Sequence, residues 1–342
     1  MQYPYYQVHF LQLGDADCIA IQYQKDASSN DFIALVDAGN VSDAEFIKHF
    51  LKRSFGSLRI DLAICTHPDS DHKGGFFGLM EDSEVAIYEL WVKHPSKYIN
   101  DDDFTKMKRR DSKWDACNRV YNHPSDASKN LIDLANQKRN PDGTKCRCLN
   151  VPCGKRHEFL PLEVIGPSEA FYREVAKGIV SNFTELNVQP DTSEYDENDE
   201  VSESDAKSVI DDVNEVDTSF SNMGSIVLLF EPDTARRMIL TGDTNSASLR
   251  EICSRLGTRV RNCILKVPHH GSKHNLNSEI IDTLKPGAAI ICAKGSIKHP
   301  SNAIVRYLSK YCNVFSTHKG PLCYLSWNWD GDAKPLKAKI TY

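Results

Sequence analysis

The sequence predicts an α/β sandwich formed by a single domain over residues 1–342. Apolar runs of strand length alternate with helical patterns in both halves of the chain, and the first strands look antiparallel, which favours a sandwich over a doubly wound sheet. No repeat stands out at solenoid periods. With 40% hydrophobic and 26% charged residues, the chain has an ordinary globular composition and enough apolar residues for a sizeable core.

The amino-terminal part is predicted to contain strands, an amphipathic helix and the start of a second helix. Strand patterns cover residues 8–13, 19–23, 32–36 and 62–65. Residues 42–54 have helical spacing with Ser42 as the expected N-cap, and another helical pattern follows Gly75. The last of these strands leads directly into the most polar motif of the chain.

The carboxy-terminal part repeats the alternation of strand and helix. Strand patterns cover residues 225–230, 238–240, 263–267 and 288–292, and further strands are expected at the end of the chain. Helical patterns cover residues 246–256, 277–284 and 302–311.

Two segments interrupt this regular pattern. Residues 94–160 are rich in charged residues and are predicted to be a loop-rich insertion with helices over 102–121 and 128–137. Residues 185–217 are strongly acidic and are predicted to be a flexible, solvated loop; a regulatory role is the alternative.

Composition also excludes several classes of protein. The net charge of −6 gives no overall attraction to nucleic acid or to an anionic membrane. No apolar run approaches the roughly 20 residues of a membrane helix, and the first residues do not resemble a secretory signal. Eleven cysteines without a regular framework favour free thiols, so we expect a cytoplasmic protein that does not bind membranes. The oligomeric state stays open.

The strongest chemical signal is a run of metal-ligand residue types after a buried strand. His67, Asp69, Asp71 and His72 fall within six residues, where the strand end can hold their side chains in fixed positions. Gly74 and Gly75 would allow the chain to turn closely behind them. A polar surface turn is the alternative, but a chance run of this density at a strand end is improbable.

Two later strands end in the same way. Asp243 follows the strand at 238–240, and His269 and His270 follow the strand at 263–267. Taken alone, Asp243 could instead cap the helix that begins near Ser246. Three strand ends bearing ligand-type residues predict a shared metal site in one crevice.

At this point the chain resembles the metallo-β-lactamase superfamily and, within it, the branch that is similar to the nuclease-like domain of the competence protein ComEC. The resemblance implies a metallo-β-lactamase αββα sandwich. It extends over nearly the whole chain, in order, and departs from the usual pattern at Ala16, where a glycine is expected. The motifs are Leu13-Gly14-Asp15-Ala16-Asp17-Cys18, Asp37-Ala38-Gly39, His67-Pro68-Asp69-Ser70-Asp71-His72, Asn222-Met223-Gly224-Ser225-Ile226-Val227, Leu240-Thr241-Gly242-Asp243 and Lys298-His299-Pro300-Ser301.

The resemblance implies a site for two divalent metal ions. His67 and Asp69 would hold the first ion, Asp71 and His72 the second, and Asp243 would bridge both. Aligning the final motif of the superfamily with Pro268-His269-His270-Gly271 makes His270 a ligand. His269 would then either support a ligand from behind or contact the substrate in the transition state. A third-motif histidine is missing, and Asn222 lies at about its position, which puts the occupancy of the first ion in doubt.

The expected chemistry is hydrolysis by a metal-bound hydroxide. Zinc or manganese would serve, and the carboxylate of Asp69 shifts the preference toward manganese. Two cations lower the pKa of a bridging water, and Asp71 and Asp243 would position that water. His299 would bind a substrate oxyanion if it reaches the pocket; an ordinary loop histidine is the equal alternative.

The insertion offers a hypothetical second metal site. Cys146, Cys148, Cys153 and His157, with Cys117 upstream, could close a structural zinc site, although their spacing matches no common zinc ribbon. Free cysteines are the default interpretation.

The resemblance favours a phosphodiesterase or nuclease, with nucleic acid as the substrate. A basic cluster in the insertion could track a phosphate backbone, but neighbouring aspartates dilute its charge, and a solvated helix face is the alternative. Two other hypotheses stay open: a hydrolase of small esters, such as a phosphorylcholine-type esterase or a lactonase, and a latent hydrolase domain controlled by a protein partner in an assembly. The first part of the basic cluster comprises Lys106, Lys108, Arg109, Arg110 and Lys113 with Trp114.

Overall fold

The computed structural model describes residues 3–107, 111–182, 202–212, 216–233, 236–295, 299–325 and 329–330. Eighteen strands lie within these ranges. They are β1 (Tyr5–Phe10), β2 (Ile19–Gln24), β3 (Phe32–Val36), β4 (Arg59–Ile60), β5 (Leu62–Ile64), β6 (Ala86–Ile87), β7 (Glu89–Val92), β8 (Asn122–His123), β9 (Asp126–Asn130), β10 (Arg147–Asn150), β11 (Leu162–Gly166), β12 (Val227–Phe230), β13 (Met238–Leu240), β14 (Ile264–Lys266), β15 (Ala288–Ile291), β16 (Asn313–Ser316), β17 (Leu322–Leu325) and β18 (Trp329–Asp330).

Eleven α-helices accompany the strands in the described ranges. They are α1 (Ala44–Phe55), α2 (Ser70–Glu81), α3 (Asp101–Lys106), α4 (Lys113–Asn118), α5 (Leu131–Gln137), α6 (Glu169–Asn182), α7 (Glu203–Ile210), α8 (Phe220–Met223), α9 (Ser246–Leu256), α10 (Ser278–Leu284) and α11 (Asn302–Leu308). Asp43, rather than the expected Ser42, is the residue that precedes α1.

Two large sheets form the centre of the fold. The first has the order β10-β7-β5-β3-β2-β1-β17-β18, and the second has the order β11-β12-β13-β14-β15-β16. Strands β1, β2 and β3 are antiparallel neighbours, whereas β13, β14, β15 and β16 run parallel. The predicted antiparallel start therefore corresponds to β1, β2 and β3 of the first sheet. The predicted alternation of strand and helix in the second half of the chain corresponds to the parallel strands of the second sheet.

Three hydrophobic clusters define the layers. The cluster between the sheets contains the alternate buried residues of β1, Tyr6, Val8 and Phe10, together with Leu228 and Phe230 of β12. A second cluster packs α1, α2, α5 and α6 onto the outer face of the first sheet. A third packs α9, α10 and α11 onto the outer face of the second. The layers are helix, sheet, sheet and helix, which confirms the predicted αββα sandwich.

The segment 94–160 is more closely integrated than a loop-rich excursion. Its strand β10 pairs in parallel with β7 at the edge of the first sheet. Its helices are shorter than predicted, and Val120, Tyr121 and Leu131 are fully buried in the cluster that contains α1 and α2. Apolar positions scattered among charged residues therefore supply core contacts that the sequence pattern did not reveal.

The prediction of a loop over 185–217 is wrong for its described part. Residues 203–210 form α7, and Ala206 and Ile210 are buried against the helices of the second sheet. Asp211 accepts hydrogen bonds from the backbone N–H and the hydroxyl of Ser278 at 2.9 and 2.7 Å. Two apolar residues four positions apart pack one face of this acidic helix against the core, while its other residues are exposed. Residues 185–201 and 213–215 lie outside the described residues.

None of the helices in the described ranges is both long enough and apolar enough to span a membrane.

Candidate metal centre

The polar motif after β5 begins a helix. Asp69 is the residue that precedes α2, and Asp71 and His72 lie in the first turn of that helix rather than in an extended loop. The helix lies very close to the segment that follows β3: a Cβ on Gly75 would fall 2.0 Å from the carbonyl oxygen of Ala38. The glycines therefore allow backbone contact between two elements that both carry site residues.

Four side chains from three strand ends meet at one point. His72 Nε2 lies 3.2 Å from Asp243 Oδ2 and 3.5 Å from Asp71 Oδ2. His270 Nε2 lies 3.2 Å from Asp71 Oδ2 and 3.6 Å from Asp243 Oδ2. One ligand atom from each residue falls within 4.8 Å of the others. We call Asp71, His72, Asp243 and His270 the ligand cluster.

The far sides of the two imidazoles are fixed by hydrogen bonds. His72 Nδ1 lies 2.8 Å from Asp37 Oδ2, and His270 Nδ1 lies 2.8 Å from the carbonyl oxygen of Cys292. Asp37 is itself held by the backbone N–H and hydroxyl of Thr66, at 2.8 and 2.7 Å. Such contacts orient a histidine so that Nε2 faces the metal.

The residues of the cluster fit a divalent cation. The buried Nε2 atoms of His67 and His72 find no hydrogen-bond partner among the described residues. A buried ring nitrogen without a partner is costly, and a metal ion would satisfy it. Burial raises the pKa of Asp71, but the charges of His72 and His270 lower it by a larger amount. The carboxylate is therefore ionised and able to bind a cation.

His67 and Asp69 lie beside this cluster. His67 Nε2 is 3.6 Å from Asp69 Oδ2, and the rings of His67 and His72 have centroids 4.1 Å apart. Ser221, in the short helix α8, donates a hydrogen bond to Asp69 Oδ1. The structure therefore brings all six predicted ligands together, as two residues adjoining a group of four.

Asn222 follows Ser221 and is buried, with 5% of its surface exposed. Its Nδ2 donates to Asp217 Oδ2 at 2.7 Å, whereas Oδ1 has no hydrogen-bond partner in the part of the chain that the structure describes. The amide is thus anchored through its nitrogen, and its oxygen is the atom left for another partner.

The two remaining predicted catalytic histidines adjoin His270. The ring centroid of His299 is 5.5 Å from that of His269 and 5.9 Å from that of His270. His269 Nδ1 lies 2.9 Å from Asn275 Oδ1 and 3.4 Å from Asp217 Oδ2. Burial lowers the pKa of His269, but Asp217 and Asp243 outweigh this effect and raise it to about 9. In the absence of metal, His269 is therefore a cation at neutral pH.

Asp243 does not cap α9. The cap of that helix is Asn245, whose side chain accepts a hydrogen bond from the backbone N–H of Ser248. Asp243 is 2% exposed, and its backbone N–H donates to the hydroxyl of Ser225 at 3.2 Å. The capping alternative is therefore excluded, which leaves the carboxylate to face the ligand cluster.

A buried lysine lies behind the cluster. Lys266, at the end of β14, is fully buried and pairs with Asp17. Its ammonium group donates to the carbonyl oxygen of Gly242 at 2.9 Å and lies 3.5 Å from Asp243 Oδ1. Asp17 also belongs to a second carboxylate–imidazole group, with Asp37 and His72. Because Lys266 already supplies a cation to Asp17, we interpret this second group as support for the ligand cluster.

The cysteine hypothesis is wrong. Across the described part of the chain, no cysteine belongs to a group of three or more ligand atoms close enough to share an ion, and Cys117, Cys146, Cys148 and Cys153 are not in disulfides. Burial raises the pKa of Cys146 and of Cys148 to about 12. They are buried or half-buried thiols that contribute to packing.

Acidic partners neutralise several basic residues of the insertion. Lys113 pairs with Asp101 at 2.5 Å and Arg156 with Glu163 at 3.0 Å. Arg119 with Asp111 and Arg147 with Glu89 form further pairs. Lys108, Arg109 and Arg110 lie outside the described residues. The paired arrangement favours a solvated surface over a continuous phosphate-binding patch.

Among the described residues, four charged residues with direct contacts to the site were not among the predicted site residues. Asp37 did have a signal, since it ends β3 as the other ligands end their strands. Lys266 had one as well, because it is the single charged residue in a buried apolar strand. The other two, Asp17 and Asp217, lie in turns, where aspartate is common for local reasons.

Comparisons with known proteins agree with this geometry. Residues 14–122 match a family model described as the Metallo-beta-lactamase superfamily. ComE operon protein 3 of Bacillus subtilis (strain 168) is 32% identical over 97 residues. That alignment covers 28% of this chain and 12% of the relative, so the chain corresponds to a small part of that protein.

Proposed function

We propose that this chain, which carries a metallo-β-lactamase superfamily domain of the ComEC-like kind, is a metal-dependent hydrolase of phosphodiester bonds. The superfamily consists mostly of metal-dependent hydrolases. The observation that carries the proposal is the convergence of Asp71, His72, Asp243 and His270 within 4.8 Å. These residues come from distant parts of the chain, and metal binding is the common function that accounts for their meeting at one point.

In this proposal each residue of the site has a role in binding metal or in hydrolysis. Asp71, His72, Asp243 and His270 would hold one divalent ion, and His67 and Asp69 would contribute to a second. Bound there, two divalent ions would supply a nucleophile at neutral pH and stabilise negative charge on the substrate. Asp71 and Asp243 present carboxylate oxygens that can orient a water and accept its proton.

The imidazoles beside the ligand cluster support a phosphodiester as the substrate. The ring of His269 adjoins those of His270 and His299. Imidazoles at this position can donate hydrogen bonds to the oxygens of a phosphodiester. The aspartates among the ligands favour a hard ion, so we expect manganese to support activity at least as well as zinc. Within this substrate class we favour nucleic acid, because of the ComEC-like resemblance.

Metal analysis followed by hydrolysis assays tests the proposal. Wild type and the double variant Asp71→Ala/His72→Ala would be compared on single-stranded and duplex DNA, on RNA and on a chromogenic phosphodiester, with manganese and with zinc. We expect wild type to bind metal and cleave phosphodiesters, and the double variant to fall to the rate seen without added metal. Asp26→Ala, in an exposed turn, is the matched control and should behave as wild type.

A wider substrate panel separates the alternatives. Cleavage of lactones, or of the β-lactam nitrocefin, without cleavage of any phosphodiester would replace our proposal with that of a hydrolase of carboxylic esters or amides. Cleavage of the small phosphodiester but of neither DNA nor RNA would favour a small-ester hydrolase of the phosphorylcholine type. A protein that binds metal but cleaves nothing would favour a latent domain that needs a partner. Latency would be tested by deleting part of the acidic segment 185–217. The deletion should retain α7 and Asp217, because Asp217 contacts His269 and α7 packs against the core.

A further inference from the structure

Lys266 is the one residue of β14 whose side chain is charged, and it is fully buried directly behind the ligand cluster. An isolated ammonium group in such a place would be strongly disfavoured. Lys266 is not isolated, because its ammonium group pairs with Asp17 and lies 3.5 Å from Asp243 Oδ1, and these two carboxylates compensate for the burial of its charge. The site therefore contains a cation that belongs to the protein.

The two oxygens of Asp243 face different partners: one faces Lys266 and the other faces the ligand cluster. Oδ1 lies 3.5 Å from Lys266 Nζ, while Oδ2 lies 3.2 Å from His72 Nε2 within the ligand cluster. The ammonium group is also fixed by Asp17 and by the carbonyl oxygen of Gly242. Asp243 can thus offer one oxygen to a bound ion while the other stays with Lys266.

Charge balance gives this arrangement a function. Among the described residues, five carboxylates form the ligand set and its immediate support: Asp17, Asp37, Asp69, Asp71 and Asp243. Two divalent ions and one ammonium group would balance five carboxylates. Without the ions, Lys266 still opposes the mutual repulsion of these carboxylates.

We propose that Lys266 is an internal counter-cation that keeps the carboxylates of the metal-free site assembled and, by competing for Asp243, weakens the binding of metal. Asp17 has the opposite effect, because it holds Lys266 and adds negative charge behind His72 and His270. This inference rests on the proposed metal site. It assigns Lys266 as a positioning residue that acts through Asp243 and does not itself touch the substrate.

The test compares manganese binding by titration calorimetry in Lys266→Met, Asp17→Asn and the double variant. Lys266→Met should bind manganese about tenfold more tightly or better, and Asp17→Asn about tenfold more weakly, because second-layer changes shift metal affinity by roughly 10–100-fold. The double variant removes one charge of each sign and should bind nearly as wild type does. Thermal unfolding provides a second measurement: metal should raise the Tm of Lys266→Met by more than that of wild type.

Lys93→Met is the matched control. Lys93 is also a buried lysine paired with a carboxylate, Glu169 at 3.2 Å, but that pair is not part of the ligand cluster. We expect this variant to lose stability while keeping the affinity of wild type for manganese. If Lys266→Met and Asp17→Asn both weaken binding, their role is only to preserve the fold and the inference is refuted.

Binding is measured separately from hydrolysis, so the two proposals can fail separately. A wild type that binds manganese and cleaves nothing replaces the active hydrolase with the latent domain and leaves the counter-cation to be judged by the affinities. Equal manganese affinities in all variants refute the counter-cation even if the hydrolase is active. If wild type binds no manganese or zinc, both proposals are refuted.

Discussion

Replacing Asp217 with asparagine should lower the pKa of His269 in the metal-free protein. Asp217 lies 3.4 Å from His269 Nδ1 and is a main reason why the pKa of that histidine is raised to about 9. An asparagine oxygen can still accept the hydrogen bonds from Asn222 and Asn275, so the change removes the charge and preserves the shape. It loses the bond that Oδ1 accepts from the backbone N–H of Ser219, and that loss costs the same stability at every pH. We expect the pKa to move toward the ordinary value of about 6.5.

The sign and size of the effect on stability follow from linkage. A pKa raised in the folded state stabilises the fold below about pH 6.5, and this contribution is lost as the pH rises through 9. A full shift of this size corresponds to about 3 kcal/mol, and Asp217 is one of two acidic residues that cause it. Because the side chain of His269 is 29% exposed, we expect Asp217→Asn to cost about 1–2 kcal/mol at pH 6 and far less at pH 9.5.

The assay combines histidine NMR titration with urea unfolding at both pH values, in protein stripped of metal because bound cations oppose protonation of His269. His269→Gln identifies the resonance. Asp211→Asn serves as the control, since Asp211 also accepts hydrogen bonds in a loop but pairs with Lys207 and Ser278. The reasoning is refuted if the pKa of His269 does not move, or if Asp217→Asn costs the same stability at pH 6 and pH 9.5.

Three further predictions concern the ligands and their support. Asp37→Asn should reduce manganese affinity about 10–100-fold in calorimetry, because the group that orients His72 can no longer accept its N–H in the same way; unchanged affinity would contradict this. Asn222→His should increase the amount of zinc retained after dialysis, because an imidazole is a better zinc ligand than an amide; an unchanged zinc content would show that this position does not contact the ion. Gly75→Ala should lower the free energy of unfolding by about 2–3 kcal/mol, because its Cβ would lie 2.0 Å from the carbonyl oxygen of Ala38, and a wild-type urea midpoint would disprove that contact.

The sequence was most informative where function and local pattern coincide. The strand before His67, the strand before Asp243 and the strand before His269 each show a buried apolar run followed by ligand-type residues, and all three were placed correctly. Helices with clear amphipathic spacing, such as α1 and α9, were also predicted within a few residues. These features depend on neighbours in the chain, which is why pattern alone suffices for them.

The features that were missed depend on contacts between distant residues. The charged composition of α7 and of the insertion concealed the few apolar residues through which their helices pack against the core. Whether such a residue is buried depends on the surface it packs against and not on the average polarity of its segment. Lys266 is the clearest case. In the sequence it is a charge inside an apolar strand, which counts against burial. Asp17, 249 positions away, forms an ion pair with it and, together with Asp243, compensates for that burial. A charge that contradicts the pattern of its own strand is therefore itself a signal, since the fold must supply an opposite charge from elsewhere in the chain.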